Sequence, residues 1–242
     1  MKLHVLAFGV HPDDVELSCS GTLLVEKSRG HSTGIVDLTR GELGTRGTAE
    51  TRDKEAADSA EILGVDIREN LGMKDGFFVN DEAHQRQVIS MIRKYQPEII
   101  LCNAPEDRHP DHGRSASLVA DAAFLSGLRK INTELDGQQQ EAWRPKYVLH
   151  YIQDRYLKPD VVIDISSFFD KKMEAVKAFK TQFHNPGIDE PQTYISTPGF
   201  LDSIKYRAQM FGKLIGVDYA EGFISSKTIG IRSLNDLILQ NT

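Results

Sequence analysis

Cysteine is scarce in this sequence, and the chain has neither a strongly basic stretch nor a long hydrophobic run. Its 242 residues include two cysteines, Cys19 and Cys102, and no CxxC pair. Neither a disulfide framework nor a thiolate zinc site is therefore expected, and a reducing cytoplasm fits best. The formal net charge of -6 and the absence of a Lys/Arg stripe with interleaved aromatic residues exclude nucleic acid as the expected partner. A small molecule is the expected partner instead.

The N-terminal segment MKLHVLAFGVHPDD contains one lysine and a short apolar run that His4 interrupts. It is too short for a signal peptide or a membrane span. We therefore expect a soluble protein that is neither exported nor bound to a membrane. The HExxH sequence of metalloproteases and the GxGxxG and P-loop fingerprints are absent as well. Any chemistry must come from other residues.

Hydrophobic runs alternate with segments of helical periodicity along most of the chain. Strands are predicted at 3–8, 34–38, 67–71, 98–102, 147–152 and 161–165, with an edge strand at 222–226. Helices are predicted at 15–28, 49–63, 82–95, 113–125, 166–179 and 200–213. This order predicts an α/β fold, namely a Rossmann-like, largely parallel sheet flanked by helices on both faces, with smaller C-terminal strand and helix additions. Because we find no repeat and no linker, residues 1–242 are expected to form a single domain.

Two similar tetrapeptides stand where predicted strands end. His11-Pro12-Asp13-Asp14 follows the first strand, and His109-Pro110-Asp111-His112 follows the strand at 98–102 after a short polar loop. In open α/β sheets, ligands bind beyond the carboxyl ends of the strands, so the two segments can meet although they are distant in sequence. Together they predict a split metal site.

The residue types in the two tetrapeptides suit a particular class of metal. His11, Asp14 and His112 offer imidazole and carboxylate ligands, which suit zinc or another divalent first-row ion such as Fe²⁺, and leave a position open for water. The alternative is structural, because Pro fixes a turn and residues such as Asp14 and Asp111 are favoured N-caps. Two such clusters after two strands favour the metal site.

The remaining members of the tetrapeptides have the chemistry of a hydrolase. Asp13 can reach the attacking water as a general base, and His109 can act from the opposite side as an acid or as a donor to an oxyanion. Asp111 can hold an imidazole in the required tautomer.

The same residues resemble the signature of a known family. The segments His11–Glu16 and His109–His112 are similar to the two motifs of the LmbE-like, or PIG-L, zinc-dependent de-N-acetylases, which remove acetyl groups from N-acetylglucosamine conjugates. The resemblance covers nearly the whole chain, including segments 37–42, 106–112, 182–183 and 219–223. Within the family it is closest to the bacillithiol-pathway deacetylases, which act on N-acetylglucosaminyl-malate.

By position, the resemblance implies that zinc binds the three ligands named above and that Asp13 activates water. It implies that His109, oriented by Asp111, stabilises the oxyanion and helps to protonate the leaving amine. Arg52 matches a family arginine that contacts sugar hydroxyls. The resemblance also implies a homo-oligomer, with a hexamer as one form, and segments 200–213 and 229–239 are candidate interfaces.

Arginines in three loops bear on the choice of substrate. Arg46, Arg52 and Arg108 are expected to ring the crevice, where guanidinium groups can bind the carboxylates of malate. For Arg46, pairing with Glu42, Glu50 or Asp107 at the surface is an equally good interpretation, so Arg108 is the better candidate for the substrate contact.

Other loop features also concern the substrate. Relatives that act on inositol-linked substrates often carry an aromatic residue just before the second motif, where this chain has Asp107-Arg108, which argues against an inositol conjugate. His184 is a candidate substrate contact. The glycine-rich loop 41–47 is interpreted as a mobile lid, or alternatively as an ordinary strand-to-helix connection.

The sequence therefore predicts a zinc-dependent hydrolase of linear amide bonds. Its expected reaction is the release of acetate from an N-acetylglucosamine conjugate, with N-acetylglucosaminyl-malate as the preferred substrate. The alternatives are a deacetylase of another glycoside or small-molecule amide, such as an inositol conjugate or a chitooligosaccharide, and a non-enzymatic sugar-binding protein. The last would require an incomplete site, and no member is missing here.

Overall fold

The computed structural model describes residues 1–185, 187 and 190–238. Its strands are β1 (Val5–Gly9), β2 (Thr33–Thr39), β3 (Ile67–Met73), β4 (Ile99–Cys102), β5 (Glu134–Leu135), β6 (Gln138–Gln139), β7 (Tyr147–Tyr151), β8 (Val161–Asp164) and β9 (Ala220–Ser225). Its α-helices are α1 (Asp14–Ser18), α2 (Ser20–Ser28), α3 (Ala49–Leu63), α4 (Glu82–Tyr95), α5 (Pro110–Leu125), α6 (Phe169–Lys177) and α7 (Phe200–Ile215). Strand and helix alternate through the first half, as the hydrophobic pattern predicts.

A seven-stranded sheet in the order β3-β2-β1-β4-β7-β9-β8 organises the chain. The pairs from β3 to β7 are parallel, and β9 is antiparallel to both of its neighbours. The largely parallel α/β fold is confirmed. The prediction of an edge strand at 222–226 is wrong, because Phe223 pairs with Tyr151 of β7 on one side and Val161 of β8 on the other.

Helices cover both faces of the sheet. On one face, α4 and α5 pack against β1, β2 and β4 through apolar residues that include Val88, Leu118 and Phe8. On the other face, α1, α2 and α6 cover the same strands through residues that include Leu23 and Ala175. All five residues of β1 are buried. Burial on both faces explains why the strands read as continuous hydrophobic runs.

The predicted helix 15–28 is two helices that break at Cys19, which has φ -136°. The break leaves backbone N–H groups at the start of α2 without partners inside the helix. Glu221 of β9 fills this need, since its carboxylate accepts hydrogen bonds from the N–H groups of Gly21 and Thr22 at 3.0 and 2.7 Å. A local pattern cannot show a capping residue that lies 200 positions away.

The two candidate interface segments are exposed in the chain. Helix α7 exposes Tyr206, Met210 and Leu214, and the segment from Ile229 to Ile238 exposes further apolar side chains. Residue 239 lies outside the described part of the chain. Self-association remains a prediction. Among the described residues, the structure contains no helix with the length and apolar character needed to cross a membrane.

Candidate functional site

A cavity of about 360 Å³ opens at the carboxyl ends of β1 and β4. Its volume falls in the range of small-molecule sites. Both tetrapeptides reach it, because parallel strands end at the same edge of the sheet. Its lining comprises His11, Asp13, Asp14, Leu17, Leu43, Gly44, Thr45, Arg46, Arg52, Asp75, Gly76, Arg108, His109, His112, Gln153, Gln182, Thr193, Tyr194 and Ile195.

The three predicted metal ligands meet in the wall of this cavity. The Asp14 carboxylate lies 3.6 Å from Nδ1 of His11 and 3.2 Å from Nε2 of His112. One ring nitrogen from each of His11, His109 and His112 lies within 4.8 Å of the others. The site therefore brings three imidazoles and a carboxylate together from the two tetrapeptides.

Asp14 is not a helix cap. Its carboxylate accepts hydrogen bonds from the backbone N–H groups of Val10 and His11, and from the side-chain amides of Asn103 and Gln153, at 2.8 to 3.1 Å. Burial would raise its pKa, but the neighbouring histidines, His112 above all, hold the pKa of Asp14 well below its usual value. Asp14 is thus a fixed, ionised carboxylate, as a metal ligand must be.

Two further carboxylates orient the histidine ligands, and the sequence analysis missed both. Asp75 Oδ1 lies 3.0 Å from Nε2 of His11, and Asp107 Oδ2 lies 2.6 Å from Nδ1 of His112. Metal-binding histidines commonly bond a carboxylate through their second nitrogen, which fixes the ring and its tautomer. Asp75 follows β3, so its position beyond another parallel strand end was the available signal.

The electrostatics of the cluster favour a cation. Burial alone would lower the pKa of His11, yet its bonds to Asp14 and Asp75 raise that pKa to about 9. Burial is likewise outweighed at His112, where Asp14 and Asp107 raise the pKa to about 10. Carboxylates that hold protons on two buried imidazoles can hold a divalent ion in their place. The nitrogen and oxygen donors fit zinc or a similar first-row metal.

Asp13 stands beside the ligands in a strained backbone conformation. Its φ of 136° is rarely adopted by residues with a side chain, and such strain is concentrated at functional sites. Arg52 holds it in place, since Nη2 donates to Asp13 Oδ2 at 3.0 Å and to the carbonyl oxygen of Pro12 at 2.7 Å. Burial raises the pKa of Asp13 to about 7, although the charge of Arg52 opposes the rise.

His109 is the N-cap of α5, and its Nδ1 accepts the backbone N–H of Asp111 at 3.3 Å. In a neutral imidazole the proton must then sit on Nε2, which makes that atom a donor. Burial and the nearby His11 and His112 lower the pKa of His109, which favours the neutral form.

The carboxylate of Asp111 has a different role from the one expected. It accepts hydrogen bonds from the backbone N–H of Gly76 at 2.9 Å and from Arg114 at 2.6 Å. The contact with His109 is made by the Asp111 backbone instead. Asp111 therefore orients His109 through its main chain, which a pattern of side chains cannot predict.

The three arginines line the cavity but differ in their pairing. Arg52 bonds Asp13, as described, and among the described residues its buried Nε has no hydrogen-bond partner. Arg46 is only 5% exposed, donates from Nε to the carbonyl of Thr181 at 2.7 Å and lies 3.5 Å from Glu190. Its buried Nη2 has no hydrogen-bond partner in the part of the chain that the structure describes. The carboxylate beside Arg46 is thus that of Glu190, and not that of Glu42, Glu50 or Asp107.

Arg108 lies at the mouth of the cavity and is 45% exposed. Its Nε is 3.1 Å from Asp154, and its guanidinium lies 4.4 Å from the ring centre of Tyr194. The hydroxyl of Tyr194 in turn donates to Asp154 at 3.1 Å. Each of these two arginines thus has a carboxylate nearby, Asp154 for Arg108 and Glu190 for Arg46.

Two other expectations concern loops. His184 is exposed and is not among the residues that line the cavity, whereas its neighbour Gln182 is. In loop 41–47, Leu43 N–H donates to Asp75 at 3.0 Å. Gly41 has φ 63°, and a Cβ there would lie 2.0 Å from Arg52. Glycine is therefore the residue that fits at position 41 without moving Arg52. Movement of loop 41–47 as a lid remains a prediction.

Known proteins resemble this chain in sequence and fold. Residues 6–123 match the sequence model of the family described as PIG-L: GlcNAc-PI de-N-acetylase. The crystal structure of a conserved protein from Thermus thermophilus is 35% identical, covers 95% of this chain and 98% of its own, and superposes with a TM-score of 0.84.

Two curated relatives carry functional names. The diacetylchitobiose deacetylase of Thermococcus kodakarensis is 29% identical over 90% of this chain and 81% of its own length. A probable N-acetyl-alpha-D-glucosaminyl L-malate deacetylase 2 of Bacillus cereus is 28% identical over 75% of this chain and 84% of its own. Together with the paired histidine and aspartate cluster, these similarities show that the chain belongs to the PIG-L, or LmbE-like, family and is an enzyme that acts on amide bonds.

Proposed function

We propose that this protein is a zinc-dependent deacetylase that releases acetate from an N-acetylglucosamine conjugate. The observation that carries the proposal is the meeting of His11, Asp14 and His112 in a cavity wall beside the buried carboxylate of Asp13. The names of the two curated relatives, both deacetylases of amino-sugar compounds, support the substrate class.

His11, Asp14 and His112 are the residues that would hold the metal. A divalent ion at such a site acts as a Lewis acid that polarises an amide carbonyl and makes water more acidic. Asp75 and Asp107 fix the two imidazole rings, so the ligand atoms are oriented before the metal binds.

Asp13 serves as the general base in this proposal. A water molecule adds to the acetyl carbon while one of its protons passes to the Asp13 carboxylate. Arg52 lowers the pKa of this carboxylate and fixes its position through bonds to Asp13 Oδ2 and to the carbonyl oxygen of Pro12. General base catalysis by a positioned side chain contributes roughly 10² to 10⁴ in rate.

His109 acts on the oxygen of the acetyl group. As a neutral imidazole with its proton on Nε2, it donates a hydrogen bond to the negative charge that develops on the acetyl oxygen. When the C–N bond breaks, the amine nitrogen takes up the proton that Asp13 removed from the water, and the products are acetate and a free amino sugar. The lowered pKa of His109 suits a group that must be neutral to play this part.

The buried arginine Arg46 favours N-acetylglucosaminyl-malate, the substrate of the bacillithiol pathway. Arg46 lines the cavity, and its buried Nη2 has no hydrogen-bond partner among the described residues. Leaving such a group unpaired costs free energy. A malate carboxylate would satisfy it. Diacetylchitobiose is the second candidate, because the relative from Thermococcus kodakarensis aligns over 90% of this chain.

Acetate release from a small panel of compounds tests the proposal. The panel consists of N-acetylglucosaminyl-malate, diacetylchitobiose, free N-acetylglucosamine and an N-acetylglucosaminyl-inositol conjugate, each incubated with the zinc-loaded protein. We expect acetate from the malate compound at the highest kcat/KM. A preference for diacetylchitobiose would keep the deacetylase and refute the malate assignment. No acetate from any amino sugar would refute the proposed function.

A further inference from the structure

A second group of side chains that could bind a metal lies at the amino ends of the strands. The cavity lies at their carboxyl ends. His4 immediately precedes β1, Glu26 belongs to α2, and His31 lies in the turn between α2 and β2. The five residues of β1 separate this group, the amino-end cluster, from the catalytic cavity by about 16 Å. The cluster shares no residue with the site described above.

The ligand atoms of the amino-end cluster converge on one another. Glu26 Oε2 lies 2.5 Å from Nδ1 of His31 and 3.8 Å from Nε2 of His4. All three atoms lie within 4.8 Å of each other, and the two imidazole rings are 4.1 Å apart between centres. An ordinary ion pair consists of one histidine and one carboxylate. His84 and Asp81 form such a pair elsewhere in the chain, with 2.7 Å between Nδ1 and Oδ1. The second imidazole is the feature that an ordinary pair does not explain.

A fourth residue supports His4 from its other side. Glu98 Oε2 lies 3.7 Å from Nδ1 of His4, so that ring stands between two carboxylates. Histidine ligands of metals typically bond a carboxylate through the nitrogen that does not face the ion. Glu98 lies on that side of His4, beyond hydrogen-bond distance, and its other oxygen is 2.9 Å from Lys146. Nε2 of His4 lies on the side of Glu26.

Backbone hydrogen bonds hold the members of the cluster in register. The N–H of His31 donates to the carbonyl of Glu26 at 3.1 Å, and the N–H of Glu98 donates to the carbonyl of His4 at 3.2 Å. The side chains of His4, Glu26 and His31 are 28%, 20% and 41% exposed. The cluster is therefore ordered by the main chain and is also open to an ion from solvent.

We propose that His4, Glu26 and His31 form a second divalent-metal site of the zinc class. Two imidazoles and one carboxylate are the donors that zinc and neighbouring first-row ions prefer. Two protonated imidazoles at this separation repel each other, whereas two neutral ones can share a single cation. The bound ion links the start of β1 to α2 and to the turn before β2. It therefore stabilises the packing at the amino ends of these strands.

Zinc stoichiometry measures the proposal directly. Metal-free protein is dialysed against buffered zinc, and bound zinc is determined by elemental analysis. We expect His31→Ala and Glu26→Gln each to bind one equivalent less than the unaltered chain. Loss of a ligand should weaken this site by roughly 100-fold or more, because even loss of an outer-sphere partner costs 10- to 100-fold. The difference of one equivalent does not depend on whether the catalytic cavity binds zinc.

His84→Ala is the matched control, because it removes an exposed histidine from a carboxylate pair that lacks a second imidazole. It should bind as much zinc as the unaltered chain. Zinc should also raise the unfolding temperature of the His112→Ala variant, which lacks one of the proposed ligands in the cavity. It should not raise the unfolding temperature of the double variant that combines His31→Ala and His112→Ala. Equal zinc binding by His31→Ala, His84→Ala and the unaltered chain would overturn the proposal.

Discussion

Arg52 donates a hydrogen bond to the carboxylate of Asp13 at 3.0 Å, and both side chains are buried. The arginine comes from α3 and the aspartate from the segment after β1, so the contact joins two elements across the cavity. Asp13 combines this ion pair with a positive φ of 136°. Its carboxylate is thus held by a charge and by the backbone together.

Replacement of Arg52 should change the pH dependence of the reaction. Burial raises the pKa of Asp13 to about 7 even though the charge of Arg52 lowers it. In Arg52→Met this opposing charge is lost, so the pKa of Asp13 rises, and the base loses its proton only at higher pH. We expect the acidic limb of the kcat/KM profile to move to higher pH, and Arg52→Lys to restore part of the shift. An unchanged limb in both variants would show that Arg52 does not act through Asp13.

Removal of the Asp107 carboxylate should weaken metal binding without removing a ligand. Asp107 fixes the His112 ring through a 2.6 Å contact at Nδ1. We expect Asp107→Asn to lower zinc affinity by roughly 10- to 100-fold, as is usual for such partners, in a competition assay with a chelator. Asp81→Asn is the control, because it alters a similar pair at His84 that is remote from the cavity. Equal losses in both variants would contradict this role of Asp107.

Arg46 and Arg108 should contribute unequally to recognition of an anionic substrate. Within the described part of the chain, the buried Nη2 of Arg46 has no hydrogen-bond partner, although its Nε lies 3.5 Å from Glu190. The half-exposed Arg108 lies 3.1 Å from Asp154. A hydrogen bond to a charged group is worth about 1.5 to 3 kcal/mol. Arg46→Met should therefore raise KM for N-acetylglucosaminyl-malate by about tenfold or more and leave KM for diacetylchitobiose within a few-fold. Arg108→Met should have the smaller effect. The reverse order would place the anion at the mouth of the cavity.

The buried ion pair between Lys172 and Glu221 should contribute to the free energy of unfolding. Lys172 Nζ donates to Glu221 at 2.7 Å, and both side chains are almost inaccessible to solvent. Glu221→Ala leaves the lysine charge and the N–H groups of α2 without their acceptor, and we expect a loss of about 3 to 5 kcal/mol in the free energy of unfolding. Glu82→Gln, which breaks an exposed pair with Arg86, should cost less than about 1 kcal/mol. Urea unfolding of both variants provides the comparison.

The sequence predicts the sheet and the position of the site because both follow from short-range patterns. Buried strands read as hydrophobic runs, and the two tetrapeptides follow two of them, the second after a short polar loop. Asp75 and Asp107 were not predicted as partners of histidines. The local sequence around a loop carboxylate does not show whether it bonds an imidazole or faces solvent. The hydrogen bond from the Asp111 backbone to His109 could not be predicted either, because every residue type except proline carries the same main-chain donor.

Long-range order limits the prediction in the second half of the chain. The hydrophobic pattern identifies β9 but does not state its neighbours, so its place between β7 and β8 appears only in the structure. The break at Cys19 depends on Glu221, which reaches α2 from that same strand. Both features depend on contacts between segments that are distant in sequence.

Acetate release by Asp13→Asn, measured at equal zinc content with the unaltered protein, tests the central claim most directly. The substitution keeps the size of the side chain but removes the proton acceptor, and Asp13 is not among the proposed ligands. We predict that the variant binds zinc normally and that kcat falls by roughly 10² or more. Unaltered kcat at full zinc occupancy would contradict Asp13 as the base.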